Sequence, residues 1–378
     1  MSKKSGDKIR VDFRKNREGR TRNTRLTQDF NQETFEEDST LREERITGKG
    51  AGTRQRTIVV GDSEDPASLR VAEETRLGLV LSVHGLNTFV EDVNSGEICR
   101  CAVRRLLKTL ATDERHVVVT GDFVRFRLQD ENPEEGFIER IEPRTTCLAR
   151  KSWKRKHIIA ANADQLVIVT SLAEPTMKPN LIDRMVIMAE KIGMQPLICV
   201  NKIDLGDAAS CVPMMGVYAR MGYEVILVSA ATGAGIPRLR TRLRGHRSVI
   251  SGQSGVGKSS LLNAVEAGLG LRTSRVSEMN QKGRHTTTAA ELLKLSGGGY
   301  VVDTPGIRQF DLWDVIPEEV PALFRDLVPF SGLCKFQDCT HTHEEDCAVR
   351  EAVEGGMMDE RRFENFLQIV DSCSIPEY

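Results

Sequence analysis

The sequence predicts a multidomain protein: an all-β barrel of the oligonucleotide-binding (OB) type, an α/β P-loop domain and a small α-helical, zinc-binding C-terminal domain. Three observations carry this. Short β-like runs separated by turn residues fill residues 76–142, apolar strands alternate with helices from Gln165 onward, and cysteines and histidines gather between Cys334 and Cys347. The α/β part carries its nucleotide motifs in an unusual order. Asn201-Lys202-Ile203-Asp204 comes first, Gly252-Gln253-Ser254-Gly255-Val256-Gly257-Lys258-Ser259 second, and Asp303-Thr304-Pro305-Gly306 third. An ordinary GTPase runs from phosphate loop to Asp-x-x-Gly switch to Asn-Lys-x-Asp, so this domain reads as a P-loop GTPase with circularly permuted motif order. The expected boundaries are a basic disordered arm over residues 1–57, the barrel over 76–145, the GTPase domain over 150–315 and the zinc-binding helical domain over 316–378.

Length and composition support several cores. A chain of 378 residues exceeds what one core organises, and 39% apolar residues supply the material. No run approaches the roughly 18 apolar residues of a membrane span, and the first residues lack the apolar segment of a signal peptide. The expectation is a cytoplasmic protein, monomeric and with no membrane partner. Nine cysteines beside a nucleotide site point to a reducing compartment, where clustered thiols bind metal rather than pair.

The net charge of −1 hides a sharp asymmetry. Lys3, Lys4, Lys8, Arg10 and six further basic residues up to Arg25 face only Asp7, Asp12 and Glu18, and residues 28–45 then turn acidic. Such a segment buries too little apolar surface to offset its ordering entropy, hence the disordered arm. Its use is either solubility or a phosphate-backbone contact driven by counterion release.

The barrel rests on six runs, residues 77–83, 88–93, 98–103, 116–119, 123–128 and 136–141. Spacing alone does not separate an OB barrel from an SH3-like one. Arg100, Arg104, Arg105, Arg125, Arg127 and Arg140 would charge a nucleic-acid groove, although polar positions on any half-exposed strand look the same. A basic cluster from Arg150 to His157, containing Trp153, reads as a solvated linker or an RNA contact.

In the α/β part, strands are expected at residues 165–170, 196–200, 224–228, 248–250 and 300–302, with a helix over 181–194. Apolar strands alternating with helices imply a parallel sheet covered on both faces, with ligands at the carboxyl ends of the strands, where each motif falls. The phosphate loop follows the 248–250 strand and precedes a helical run over 261–265, the context its chemistry requires. Its glycines allow a tight turn whose N–H groups converge on phosphate oxygens. Lys258 reaches the β- and γ-phosphates and the Ser259 hydroxyl coordinates magnesium, with Ser260 beside it in the GTP-binding set. Asp204 accepts two hydrogen bonds from guanine that adenine cannot supply, and the Ala230 N–H, after Ser229, meets guanine O6.

Asp303 is expected near magnesium and the Gly306 N–H near the γ-phosphate. Between them and the phosphate loop, Gly283-Arg284-His285-Thr286-Thr287-Thr288 suits a mobile switch, and one threonine, Thr287 in preference to its neighbours, completes the magnesium shell. Ile307 stands where many GTPases carry a water-positioning glutamine, so unaided hydrolysis is expected to be slow. His285 is the candidate catalytic residue within the chain.

Beyond Trp313 the pattern is helical over 318–326 and again over 351–367. Between these stretches, Cys334-x4-Cys339-x-His341-x5-Cys347 supplies three thiolates and an imidazole for one closed, tetrahedral, structural zinc site, with His343 as a competing ligand.

Taken with the motif order, residues 283–288, Asp303-Thr304-Pro305-Gly306 and the Cys/His spacing resemble the signatures of the circularly permuted bacterial GTPases known as ribosome small subunit-dependent GTPase A, RsgA or YjeQ. The likeness covers about residues 76–370. It implies the OB barrel, the permuted GTPase and the zinc domain in that order. It implies action late in maturation of the small (30S) ribosomal subunit, binding to its rRNA, hydrolysis stimulated by that subunit and a catalytic role for His285. The long arm up to about Arg56 and Glu344-Glu345-Asp346, where a Pro-Gly turn is expected, depart from the family. The leading expectation is a GTP hydrolase, with GTP and GDP, magnesium, zinc and the small subunit as partners, released when GTP is cleaved. A nucleotide-gated RNA-binding module with incidental hydrolysis is the alternative, and Asn201-Lys202-Ile203-Asp204 argues against a metabolic kinase.

Overall fold

The structure, a computed structural model, describes residues 8–13, 54–59, 75–85, 87–104, 117–130, 132–152, 155–271, 290–303 and 315–374. The chain divides into two compact units, Met1–Glu73 and Glu74–Tyr378. In the first, β1 (Lys8–Phe13) pairs antiparallel with β2 (Arg54–Val59). The disordered reading of residues 1–57 misses this pair. Ile9, Val11 and Phe13 alternate with charged residues, a period-two pattern that the overall charge of the segment had masked.

The second unit opens with β3 (Arg76–His84), β4 (Asn87–Asp92), β5 (Ile98–Val103), β6 (Phe123–Leu128) and β7 (Glu135–Ile141). They run in the order β3-β4-β5-β7-β6, and β6 pairs back onto β3, closing a five-stranded OB-like barrel. Alternate residues point inward, so Val80, Val90, Val124, Phe126 and Ile138 are fully buried. The sixth expected strand, at 116–119, is not formed. The buried Asp122 carboxylate accepts the Val119 N–H at 2.8 Å and the Arg144 guanidinium at 2.7 and 2.9 Å, bending the chain, and only an isolated bridge, Thr120 to Ala160, remains. The basic cluster from Arg150 to His157 is not a linker either. It lies in the hairpin of β8 (Cys147–Ser152) and β9 (Arg155–Ala161).

Next come β10 (Gln165–Ser171), α1 (Pro179–Ile192), β11 (Gln195–Asn201), α2 (Val212–Arg220), β12 (Glu224–Leu227), α3 (Ile236–Leu243), β13 (Arg247–Ser251), α4 (Lys258–Val265), β14 (Glu291–Lys294) and β15 (Tyr300–Asp303). The parallel order is β12-β11-β10-β13-β15, with helices packed on both faces. Every residue of β10 is buried, as expected of a central strand built on the apolar run Leu166-Val167-Ile168-Val169. The strand β14, antiparallel to β15, was not expected. It also pairs with β3 through Glu291 and Ser82, so among the described residues barrel and α/β sheet form one eleven-stranded sheet.

The C-terminal part comprises α5 (Val320–Leu323), α6 (Val328–Ser331), α7 (Ala348–Glu354) and α8 (Glu360–Ser374). The expected helix over 318–326 stops at Leu323. The expected helix over 351–367 is two helices, because Gly355-Gly356, with Gly356 at φ 67°, ends α7. Val320, Phe324, Leu327, Val349, Phe366 and Ile369 form its core, to which Ile187 of α1 is added. No helix among the described residues is long and apolar enough to cross a membrane.

Candidate functional site

Three strand ends define the site. Asn201 closes β11, Ser251 closes β13 and leads into the phosphate loop, and Asp303 closes β15, all at the carboxyl edge of the parallel strands. Such edges collect ligands because helix N-termini and loop N–H groups converge there. The loop from Gly252 to Gly257 turns into α4, whose first residue is Lys258. Lys258 Nζ donates to the Gly252 and Gln253 carbonyls at 2.8 and 3.0 Å, and burial pulls the amine below its ordinary value. Ser254, Gly255 and Ser260 are exposed, Ser259 is half-buried and Val256 is buried beneath the loop.

Asn201 ties the motifs together. Its side chain is buried, its Nδ2 donates to the Val256 carbonyl at 2.9 Å, and its Oδ1 accepts the Ala230 N–H at 3.2 Å. Gly257 sits at φ 92°, and a Cβ there would meet Asn201 Nδ2 at 2.6 Å, so this position needs glycine both for its backbone and for the asparagine above it. Ser229 Oγ donates to Asp204 Oδ1 at 2.5 Å, orienting a carboxylate that is otherwise exposed. Lys202, at φ 60°, places its ammonium on the Glu174 carbonyl, and Ile203 opens the short 3-10 turn that carries Asp204. Thus Asn201, Lys202, Ile203, Asp204, Ser229, Ala230 and the whole phosphate loop are brought together. His285, Thr287 and Gly306 lie outside the described residues, as does the side chain of Asp303.

Sequence reasoning missed what Asn201 does. The motif marks it as part of base reading, and its work as a brace between loop and strand edge has no signal in the tetrapeptide. The barrel arginines are expected either to charge a nucleic-acid groove or to be ordinary polar positions on half-exposed strands. In the structure Arg100 pairs with Glu135, Arg104 and Arg127 with Glu139, and Arg125 and Arg140 with Glu142, while Arg105 lies outside the described residues.

A second cluster stands in the C-terminal part. The ligand atoms of Cys334, Cys339, His341 and Cys347 all lie within 4.8 Å of one another. Cys334 Sγ is 3.4 Å from His341 Nδ1 and 3.9 Å from Cys347 Sγ, and Cys347 Sγ is 3.6 Å from His341 Nδ1. A tetrahedral ion with metal–sulfur bonds of about 2.3 Å and metal–nitrogen bonds of about 2.1 Å has edges of about 3.8 and 3.6 Å, so the four side chains fit a closed metal site. His343 is exposed, with Nδ1 2.8 Å from the Thr342 hydroxyl, and is not in the cluster. Glu344 explains how the loop does without Pro-Gly. Its carboxylate accepts the Thr340, Thr342 and His343 N–H groups at 2.8, 3.1 and 3.2 Å and the Thr340 hydroxyl at 2.5 Å.

A buried charge network fixes this part to the α/β sheet. Arg362, 2% exposed, contacts Asp183 of α1 and makes 2.9 and 3.0 Å bonds to Asp326, with its guanidinium 4.5 Å from the Phe324 ring. Tyr218 and Asn365 also donate to Asp183, at 2.7 and 2.6 Å. Burial pushes the Asp183 carboxyl up, which these donors and Arg362 oppose.

Comparisons with known proteins agree with this geometry. The family profile described as RsgA GTPase matches residues 141–313. The chain is 39% identical over 307 residues to the small ribosomal subunit biogenesis GTPase RsgA 1 of Vibrio vulnificus, covering 80% of this chain and 85% of that one. It is 41% identical over 309 residues to the small ribosomal subunit biogenesis GTPase RsgA of Sodalis glossinidius, covering 80% and 87%. Among solved structures it is similar to YjeQ from Thermotoga maritima, with a TM-score of 0.67 and 34% identity over 80% of this chain and all of that one. It is also similar to YloQ, described as a circularly permuted GTPase, with a TM-score of 0.64 and 26% identity over 82% of this chain and all of that one. With a braced phosphate loop, a permuted strand order and relatives at this level of identity over four-fifths of its length, the chain belongs to the RsgA family of circularly permuted GTPases.

Proposed function

We propose that this protein hydrolyses GTP during biogenesis of the small ribosomal subunit, binding rRNA of that subunit and leaving it on GTP hydrolysis that the subunit stimulates. The observation that carries the reading is the Asn201 brace, which holds the base-reading tetrapeptide, the Ser229-Ala230 turn and the phosphate loop in one site. In that site Asp204 reads guanine, the loop from Gly252 to Gly257 with Lys258, Ser259 and Ser260 holds the phosphates, and Ser259, Thr287 and Asp303 serve magnesium. Gly306 meets the γ-phosphate and His285 orients the attacking water. When bound, magnesium supplies charge neutralisation for phosphoryl transfer.

The names of the relatives support the ribosomal part of the reading. Barrel, GTPase and helical regions then act as three modules with limits near residues 145 and 315, in a monomeric cytoplasmic factor. Zinc is the ion for the Cys3His cluster, since a site of this softness with four protein ligands leaves no open position and serves structure. Elemental analysis should find about one zinc per chain; a metal-free preparation with full thermal stability would refute the assignment.

GTP turnover measured with and without purified small subunits tests the whole reading. Stimulation by small subunits alone is expected, and no stimulation, or equal stimulation by large subunits, would overturn it.

A further inference from the structure

Among the described residues, β14 is the strand of the GTPase sheet that pairs with a barrel strand, and barrel side chains hold it at both ends. At its start, the buried Thr120 hydroxyl donates to the Ala290 carbonyl at 2.7 Å. At its end, the Glu91 carboxylate, on a residue only 4% exposed, takes the Lys294 ammonium and, at 2.9 Å, the Tyr300 hydroxyl. Lys294 and Tyr300 are direct partners across β14 and β15, so one barrel carboxylate clamps both strands. Burial and the Glu91 contact push the Tyr300 hydroxyl up to about 12, which keeps it a donor.

Between these grips the backbone makes one continuous row. Ser82 of β3 pairs with Glu291 of β14, and Glu291 pairs with Asp303 at the end of β15. The row begins beside a register irregularity between Val80 and Ser82, past the end of the β6 pairing at Leu79, while β3 stays paired with β4 as far as His84. Asp303 is the residue assigned to magnesium, and Ala290 follows the segment that contains His285 and Thr287. A single ladder pair is a weak joint, and beside the apolar cluster that Leu79, Leu81 and Phe123 share with Ala290, Leu292 and Val302, the two side-chain grips are the polar fixings of the strand to the barrel.

We propose that Glu91 and Thr120 of the barrel are positioning residues for the subunit-stimulated part of GTP hydrolysis only, holding β14 so that a load on the barrel is felt at Asp303. The inference rests on the GTPase reading above and adds the route by which an RNA-bound barrel reaches the nucleotide. Neither residue touches GTP in this scheme. Their loss should therefore spare nucleotide binding and basal turnover while weakening the response to the subunit.

The test uses the full-length protein with Glu91→Gln, Thr120→Val and the pair combined, together with Thr120→Ser, which keeps the hydroxyl. For the combined variant, GDP affinity, basal turnover and affinity for small subunits should stay within about twofold of wild type, while subunit-stimulated turnover falls by at least about tenfold, in line with the sensitivity of catalysis to sub-ångström placement. Thr120→Ser should retain the stimulation that Thr120→Val loses. A readout without ribosomes accompanies it: hydrogen exchange of the amides of residues 76–84 should differ between GDP and a non-hydrolysable GTP analogue in wild type, and that difference should vanish in the combined variant. Wild-type stimulation in the combined variant, a fall matched by equal loss of subunit affinity, or wild-type amides indifferent to the nucleotide would each overturn the proposal. Absence of stimulation in wild type would instead sink the ribosomal reading, and the exchange measurement would still decide the coupling.

Discussion

On its barrel side the GTPase sheet continues by backbone pairing, Glu291 against Ser82, with Glu91 and Thr120 as side-chain support; on its C-terminal side it is held by side-chain charge, Arg362 between Asp183 and Asp326. The two joints should respond differently to the same kind of damage. A sheet extension passes displacement along its strands and loses little folding stability when one hydroxyl is removed. A buried ion network fixes one arrangement, and removing a member strands an opposite charge away from water. The barrel is thus attached in a way suited to being moved, and the C-terminal helices in a way suited to staying in register with α1.

The sharpest way to break this contrast is Arg362→Ala. It leaves Asp183 buried without its cation, and denaturant unfolding should show a loss of about 3–5 kcal/mol. A loss below about 1 kcal/mol would mean that the network is solvated and the two joints are alike. Thr120→Val probes the other side with one hydrogen bond and nearly constant volume, and should cost about 1 kcal/mol in the same assay. A cost equal to that of Arg362→Ala would make the barrel joint as rigid as the helical one. At the rim, Lys191 reaches Glu319 at 2.7 Å, but Glu319 stands in solvent. Lys191→Ala should leave the unfolding midpoint unchanged, and a clear shift would show that the rim shares the load assigned to Arg362.

How far the sequence can be read follows the range of the interactions concerned. The phosphate loop was legible because its glycines, lysine and serines dictate a local shape between a strand and a helix. Five of six barrel strands were legible from alternation, and the sixth failed because three successive valines at 117–119 look like a strand while Asp122, a few residues on, turns the chain. The strand β14 is four residues long and its barrel partner Ser82 is about two hundred residues away, so nothing local announces it. Asp183, followed by Arg184, and Arg362, within Glu360-Arg361-Arg362-Phe363-Glu364, look like charges on the solvent face of a helix until the two helices are seen together. The metal cluster was legible from spacing, and Glu344 was not, since a carboxylate gathering four donors from its own loop resembles any surface acid.

Asn201 and Gly257 also say something about how a chain can be rewired. The amide fills the space a side chain at Gly257 would need, since a Cβ there would clash with Asn201 Nδ2 at 2.6 Å, yet the two lie on separate motifs whose order along the chain is the reverse of the ordinary one. Rejoining a chain at a different point alters only which loops must close, and closure entropy changes slowly with loop length. The neighbourhood of atoms around the ligand is untouched by that operation. What a permutation has to inherit is therefore the touching pair, and the alphabetic order of the motifs is free to drift.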